Sequence, residues 1–266
     1  MALSCSTSAF KTNLERALTH VRECGFTNAD LIAIGGWDHV DAEALISNFN
    51  AYSRQIISIL DKTGITPVAF NMALGSLNDR SAEAVRKRLD RLEALLRCMN
   101  SLSVKVASFY PGYKVPPHEW ENAFRSAAES IREMIHLGSR YGVTLAVELH
   151  YDTIFQTLEQ SIRLLDEIPS LYIALDPSHF AMQNMKMQQL EPLMDRVAHV
   201  HLRDAGPGAM QKPFGTGTVD FKWLLNRLKQ AHYDGHITVE YLPAEDFDVC
   251  ESIRKMSDLV KDIFPL

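Results

Sequence analysis

The sequence predicts an α/β protein built as a closed (β/α)₈ TIM barrel, and three observations support that fold class. The chain has 266 residues, of which 46% are hydrophobic, so its size suits one large barrel core. Eight short β-prone runs alternate with longer segments of helical periodicity, which indicates parallel strands joined by helical crossovers. No proline-rich linker, charge run or low-complexity segment divides the chain, so we expect residues 1–266 to form one domain.

The eight predicted strands are short, mostly apolar runs separated by helical segments. They span Leu3 to Ser8, Asp30 to Ile34, Pro67 to Leu74, Val104 to Phe109, Thr144 to Glu148, Tyr172 to Asp176, Val197 to His201 and His236 to Glu240. Amphipathic periodicity predicts helices that include Asp41 to Leu60, Ser81 to Met99 and Glu119 to Tyr141, the last of them ended by Gly142. An open doubly wound sheet usually carries a GxGxxG turn after its first strand, and Leu3 to Phe10 is followed by no such turn.

Composition excludes several classes of partner. The formal net charge is −6, and no stretch collects five like charges, so we expect no nucleic acid partner. The cysteines lack CxxC spacing, which argues against a disulfide framework or a thiolate zinc site and favours reduced thiols; they are Cys5, Cys24, Cys98 and Cys250. No apolar run approaches membrane-spanning length, so we expect a cytoplasmic protein with no membrane partner.

Each of the last four predicted strands ends on a residue whose side chain is of a type that can bind a metal ion. Glu148 follows TLAV, Asp176 follows YIAL, His201 follows VAHV and Glu240 follows HITV. In a barrel the carboxyl ends of all strands open on one face, and neighbouring strands lie about 4.8 Å apart. Taken alone, each residue is more often a solvated loop acid or a hydrogen-bonded histidine. Four of them in one register on successive strands predict a common site.

The first four strands provide the contrast, because their ends carry no second acid cluster. The residues found there are Gly35, Trp37, Leu74 and Tyr110.

Carboxylates about 4 Å apart repel by several kcal/mol per pair in a partly buried site, so a cation is expected to neutralise them. A mixed set of oxygen and nitrogen ligands without thiolates favours one divalent ion, Mn²⁺ first, with Mg²⁺, Co²⁺ or Zn²⁺ as alternatives. His199 lies one layer deeper on the same strand face as His201, and we expect an interior histidine there rather than a fifth ligand.

Four segments carry a family resemblance: AVELH, LDPSH, HVHLRD and ITVEY. They resemble the xylose isomerase-like TIM-barrel superfamily, specifically its sugar phosphate isomerase/epimerase branch. The resemblance implies that the metal is bound by Glu148, Asp176, His201 and Glu240. It further implies that Glu148 and Glu240 handle protons and that His179 and Arg203 contact substrate oxygens. Barrels of this kind commonly form homodimers or homotetramers.

This constellation predicts proton abstraction next to a carbonyl. A metal flanked by two carboxylates suits a small sugar or sugar derivative, because the cation stabilises the enediolate that forms when a base removes the α-proton. Return of the proton to the neighbouring carbon gives an isomerase, and return to the opposite face of the same carbon gives an epimerase. Trp37, Tyr110 and Tyr113 are candidates for the walls of the site, although ordinary packing at the rim explains them equally well.

Other functions use the same barrel. If the enolate expels a β-hydroxyl or a glycosyl oxygen, the enzyme becomes a dehydratase or lyase, and spacing does not separate these outcomes. A non-catalytic sugar-binding barrel is disfavoured by the intact ligand set. An apurinic endonuclease-like hydrolase is disfavoured because the fourth strand ends in SFYPGY, without a histidine, and the loop after His201 lacks an Asp-x-His pair. The GTGTVDF segment, with Gly215, Gly217 and Asp220, is either a phosphate site on backbone amides or a tight turn.

Overall fold

Eight parallel strands form a closed barrel in a computed structural model that describes residues 1–37 and 39–264. The order around the barrel is β1-β10-β7-β6-β5-β4-β3-β2, so the predicted TIM barrel is confirmed. The barrel strands are β1 (Leu3–Ser6), β2 (Asn28–Ala33), β3 (Thr66–Met72), β4 (Val106–Phe109), β5 (Thr144–Glu148), β6 (Tyr172–Leu175), β7 (Val197–Leu202) and β10 (His236–Val239). That residues 1–266 form a single domain stays a prediction.

Helices follow the barrel strands and cover the outside of the sheet. They are α1 (Leu14–Glu23), α2 (Ala42–Thr63), α3 (Ala82–Ser101), α4 (Trp120–Arg140), α5 (Leu158–Glu167), α6 (Ser178–Ala181), α7 (Phe221–Gln230) and α8 (Val249–Ile263). Their starts follow from capping, because the side chains of Asn13 and Ser81 accept hydrogen bonds from N–H groups in the first turns of α1 and α3. The predicted helix beginning at Asp41 is interrupted at Asn48, whose backbone is not helical. No helix among the described residues is long and apolar enough to cross a membrane.

A short antiparallel hairpin follows β7 and was not predicted from the sequence. Its strands are β8 (Asp204–Gly206) and β9 (Ala209–Lys212), joined through Gly208, whose φ is +72°. Strands of three and four residues are too short to show an alternating pattern. The hairpin lies against the segment after β10, because the Gln211 side chain bonds both the N–H and the C=O of Leu242, at 2.6 and 3.1 Å.

The interior of the barrel is unusually polar on the side of β1, β10 and β7. Ser4 pairs in register with Thr238, and Thr238 pairs with His201. The Ser4 and Thr238 hydroxyls are 2.8 Å apart, and Thr238 Oγ1 lies 3.1 Å from His199 Nε2. Since buried polar groups require partners, this network fixes the side chains beneath the mouth of the barrel.

Candidate metal centre

The four predicted ligands all lie at the carboxyl end of the barrel and are buried. Glu148 is the last residue of β5, Asp176 and Glu240 directly follow β6 and β10, and His201 lies within β7. The ligand atoms of Glu148, His201 and Glu240 all lie within 4.8 Å of one another. Those of Glu148, Asp176 and His179 form a second group of the same size, so Glu148 belongs to both.

His201 is at the centre of the first group. Its Nδ1 atom lies 2.9 Å from Glu148 Oε1 and 3.0 Å from Glu240 Oε2. Its Nε2 atom lies 3.1 Å from Asp30 Oδ2. A proton on Nε2 therefore donates to Asp30, and the Nδ1 atom faces the two glutamates. This is the arrangement of a histidine ligand whose outer nitrogen is held by a carboxylate.

Asp176 makes a tight ion pair with Arg203. Arg203 Nη2 donates to Asp176 Oδ2 at 2.6 Å, Arg203 Nε donates to Ser178 Oγ at 2.9 Å, and the Ser178 N–H donates to Asp176 Oδ1 at 2.8 Å. Each carboxylate oxygen retains a second lone pair for another partner. The role of Asp176 as a metal ligand stays a prediction.

His179 has one nitrogen without a partner. Its Nε2 accepts a hydrogen bond from Arg203 Nη2 at 3.1 Å, which leaves the proton on Nδ1. That buried Nδ1 has no hydrogen-bond partner among the described residues. Burial, together with the nearby His150 and Arg203, holds the pKa of His179 well below its usual value, so the ring is neutral. The neutral ring contacts that of His150, with centroids 3.7 Å apart and planes tilted by 41°.

The centre has an excess of buried negative charge. Four carboxylates surround it, those of Asp30, Glu148, Asp176 and Glu240, and Arg203 is the guanidinium buried among them. Burial alone would lower the pKa of His201, but Glu240 and Glu148 raise it well above its usual value. Burial, opposed by Arg203 and reinforced by Glu148 and Glu240, raises the pKa of Asp176. The raised pKa of His201 reflects the negative charge of the two glutamates beside it.

These donors fit a divalent cation. The set offers carboxylate oxygens and one imidazole nitrogen, which hard and borderline divalent ions accept. The Nδ1 atom of His201 and the facing oxygens of Glu148 and Glu240 share one small space. A dication held there would offset the unbalanced carboxylates without a proton on His201.

Sequence reasoning missed two side chains that contact the predicted metal ligands. Asp30 in β2 accepts hydrogen bonds from His199 Nε2 at 2.9 Å and from His201 Nε2, and Asn71 in β3 donates to Glu240 Oε1 at 2.9 Å. The polar side of the site thus extends beyond the four strands predicted to carry it. The available signal was a polar residue inside an otherwise apolar strand. His199 is fully buried on Asp30 and Thr238, in agreement with an interior role.

A cavity of about 120 Å³ opens beside Glu148 and Glu240. Its lining includes Trp37, Tyr110, Glu148, His150, Arg203, Met210 and Glu240. Tyr113 is 60% exposed and is not among the lining residues, although its ring packs 6.0 Å from that of Tyr110. This space is smaller than the roughly 300–1,000 Å³ of the pockets that hold drug-sized ligands.

The GTGTVDF segment forms a turn around an internal anion. The N–H groups of Gly215 and Gly217 both donate to Asp204 Oδ2, at 2.8 and 2.9 Å. The amides proposed for phosphate are therefore occupied by the chain's own carboxylate. Because Asp204 directly follows Arg203, this turn also holds the backbone next to the guanidinium in place.

We expect Gly217→Ala to lower the free energy of unfolding by about 2–3 kcal/mol, since the new methyl group overlaps backbone and carboxylate atoms. A Cβ at this position would lie 2.0 Å from Asp204 Oδ1 and 2.3 Å from the Ala205 carbonyl oxygen. Urea denaturation measures the change. Gly35→Ala is the matched control, because a Cβ there meets nothing within 4 Å. Equal losses in both variants would contradict the close packing of this turn.

Comparison with known proteins agrees with this geometry. The L-ribulose-5-phosphate 3-epimerase UlaE of Escherichia coli strain K12 is 24% identical over 260 residues, covering 90% of this chain and 89% of UlaE. The structure of 3-keto-D-glucoside 4-epimerase YcjR from E. coli superposes with a TM-score of 0.76 at 18% identity, covering 98% of this chain and 99% of YcjR. The structure of the IolI protein with a bound zinc atom gives a TM-score of 0.76 at 18% identity and covers all of both chains. At such identities the two structures show a shared fold.

UlaE is a sugar epimerase, which confirms the prediction of an enzyme of the isomerase and epimerase kind. The profile of the xylose isomerase-like TIM barrel matches residues 18–258, nearly the whole length of the sequence. The resemblance carried by the four strand-end motifs is therefore confirmed, and the chain belongs to the xylose isomerase-like TIM barrel family.

Proposed function

We propose that the chain is a divalent-metal-dependent epimerase or isomerase of a small sugar or sugar derivative. The observation that carries the proposal is the position of His201 Nδ1 within 3.0 Å of oxygens from both Glu148 and Glu240, in a buried centre rich in carboxylates. The names of the relatives UlaE and YcjR favour epimerisation over isomerisation. A homodimer or homotetramer and a cytoplasmic location stay predictions.

Glu148 and Glu240 are placed to move protons on two sides of one substrate. They come from β5 and from the end of β10, and in the barrel β6 and β7 lie between those strands. Both side chains line the cavity. One glutamate removes the proton next to the carbonyl, and the other returns a proton to the opposite face of that carbon. Asn71 holds Glu240 by donating to Oε1, which leaves Oε2 facing the centre.

The proposed cation is Mn²⁺, held by Glu148, Asp176, His201 and Glu240, with Mg²⁺, Co²⁺ or Zn²⁺ as alternatives. When bound, such an ion polarises the substrate carbonyl and stabilises the negative charge that develops on its oxygen. Arg203 lines the cavity, and its bonds to Ser178, Asp176 and His179 use only Nε and Nη2. Its Nη1 group and the Nδ1–H of His179 are the donors assigned here to substrate hydroxyl or carbonyl oxygens.

Solvent proton exchange tests the proposal. The full chain is incubated in D₂O with a panel of keto sugars, with and without Mn²⁺, and deuterium uptake is followed by NMR. We expect Mn²⁺-dependent exchange at the carbon next to the carbonyl, together with formation of the epimer. An aldose product would indicate isomerisation, and loss of a hydroxyl would indicate the dehydratase alternative. Protein with bound Mn²⁺ that exchanges no sugar in the panel would contradict the proposal.

We expect His179→Ala to raise KM or lower kcat by about 10-fold, because one donor to the substrate is lost. Metal content should remain close to one ion per chain, measured by elemental analysis after gel filtration. The control is His136→Ala, which removes an exposed histidine from α4. Loss of the ion from the His179 variant would instead make this residue a ligand.

A further inference from the structure

Two cysteines far apart in sequence bring their sulfur atoms together. Cys24 directly follows α1, and Cys250 is the second residue of α8. Their Sγ atoms are 2.9 Å apart, although 226 residues separate the two positions. The first and last helices of the barrel therefore approach each other at these two thiols.

The separation is close to that of a covalent bond. A disulfide has an S–S distance of about 2.05 Å, so less than about 1 Å of movement would join the two sulfurs. The other two cysteines provide a contrast, because Cys5 and Cys98 are completely buried and neither is bonded to another thiol among the described residues. Proximity thus distinguishes the Cys24 and Cys250 pair from the remaining thiols.

The two thiols differ in exposure, and this difference sets the order in which they react with an oxidant. Cys24 is 3% exposed, whereas Cys250 is partly open to solvent. Burial, reinforced by Cys250, raises the pKa of the Cys24 thiol to about 12. A dissolved oxidant therefore meets Cys250 first, and Cys24 is the thiol that completes the bond.

We propose that Cys24 and Cys250 form a reversible thiol–disulfide site for small disulfides of the glutathione type. The Cys250 thiolate attacks one sulfur of oxidised glutathione and releases one glutathione thiolate, leaving a mixed disulfide. Cys24 gives up its proton and attacks the Cys250 sulfur, which releases the second glutathione. Two protein thiols are oxidised to one disulfide, and oxidised glutathione takes up the two electrons and two protons as two reduced molecules.

The consequence is a covalent link between the two ends of the barrel. A cross-link over so long a stretch restricts the unfolded chain strongly, so it stabilises the folded state. In a reducing compartment the pair remains two thiols, as the spacing of the cysteines predicts. Cys24 and Cys250 belong to the outer helices and take no part in the proposed sugar chemistry.

The experiment treats the full chain with oxidised and reduced glutathione at several ratios and maps its peptides without reduction. We expect a link between the peptides that contain Cys24 and Cys250, loss of two of the four thiols, and a rise in Tm of roughly 5–15 °C that dithiothreitol reverses. Cys24→Ser and Cys250→Ser should abolish the oxidation-dependent rise in Tm, whereas Cys98→Ala should retain it. Each variant is compared with its own reduced form, so a general loss of stability does not obscure the result. A lasting glutathione adduct on Cys250 without the link, or no loss of thiols, would overturn the proposal.

Discussion

Replacing Glu148 or Glu240 by glutamine is expected to reduce turnover by about 10²- to 10⁴-fold, which is the usual contribution of a positioned acid or base. Glutamine has nearly the same shape as glutamate but accepts no proton from carbon. Both side chains are buried at the cavity and contact His201, so each exchange removes a charge from the centre without opening a void. Circular dichroism and thermal melting should show a folded barrel in both variants.

Isotope exchange separates the two glutamates. If each serves one face of the substrate, Glu148→Gln should block solvent exchange for one epimer and preserve it for the other, and Glu240→Gln should show the reverse preference. Metal content is measured alongside, because loss of the ion would lower both exchanges together. Glu83→Gln, on the exposed first turn of α3, is the control and should behave as the parent. Unchanged rates in both variants would remove these residues from the mechanism.

Replacing Asp30 by asparagine is expected to weaken Mn²⁺ binding by about 10- to 100-fold, the usual effect of losing a carboxylate behind a histidine ligand. Asp30 accepts from the Nε2 atoms of both His199 and His201. Burial alone would raise its pKa, but these two histidines lower it below its usual range, so Asp30 is ionised. A neutral amide would make His201 Nδ1 a poorer electron donor and would hold the ring less firmly.

Calorimetric titration with Mn²⁺ measures the effect directly and does not depend on knowing the sugar. Asp61→Asn, which changes an exposed aspartate on α2, serves as the matched control. A folded Asp30 variant with the affinity of the parent would show that Asp30 supports only the interior of the barrel. If the parent itself binds no Mn²⁺, the metal proposal fails before the variant is considered.

The residues predicted from sequence lie at or near the carboxyl ends of strands, where the barrel topology brings together residues that are far apart in sequence. Glu148, Asp176, His201 and Glu240 are predicted by this rule, and all four lie at one end of the barrel. Asp30 illustrates the limit of the rule. The sequence pattern begins a strand at Asp30, whereas Asp30 lies inside β2 and contacts His199 and His201 of β7.

Two other features depend on three-dimensional packing, which the spacing of residues along the sequence does not reveal. The bond from Asn71 to Glu240 depends on which face of β3 is turned inward, and an asparagine within an apolar run does not reveal its partner. The approach of Cys24 to Cys250 depends on how α1 and α8 pack, since 226 residues intervene. The sequence does not predict the hairpin after β7, because its strands of three and four residues are too short to show an alternating hydrophobic pattern.

That hairpin has a consequence for how new sugar preferences arise. Met210 of β9 lines the cavity, yet among the described residues β8 and β9 pair only with each other and lie outside the closed barrel. The hairpin is fastened to the rim through Gln211 and Leu242. Exchanging Met210 would therefore change the lining of the cavity while leaving the buried carboxylates and the hydrophobic layers intact. Directed evolution of selectivity should begin at Met210 rather than at β8, which is buried and whose Asp204 holds the GTGTVDF turn.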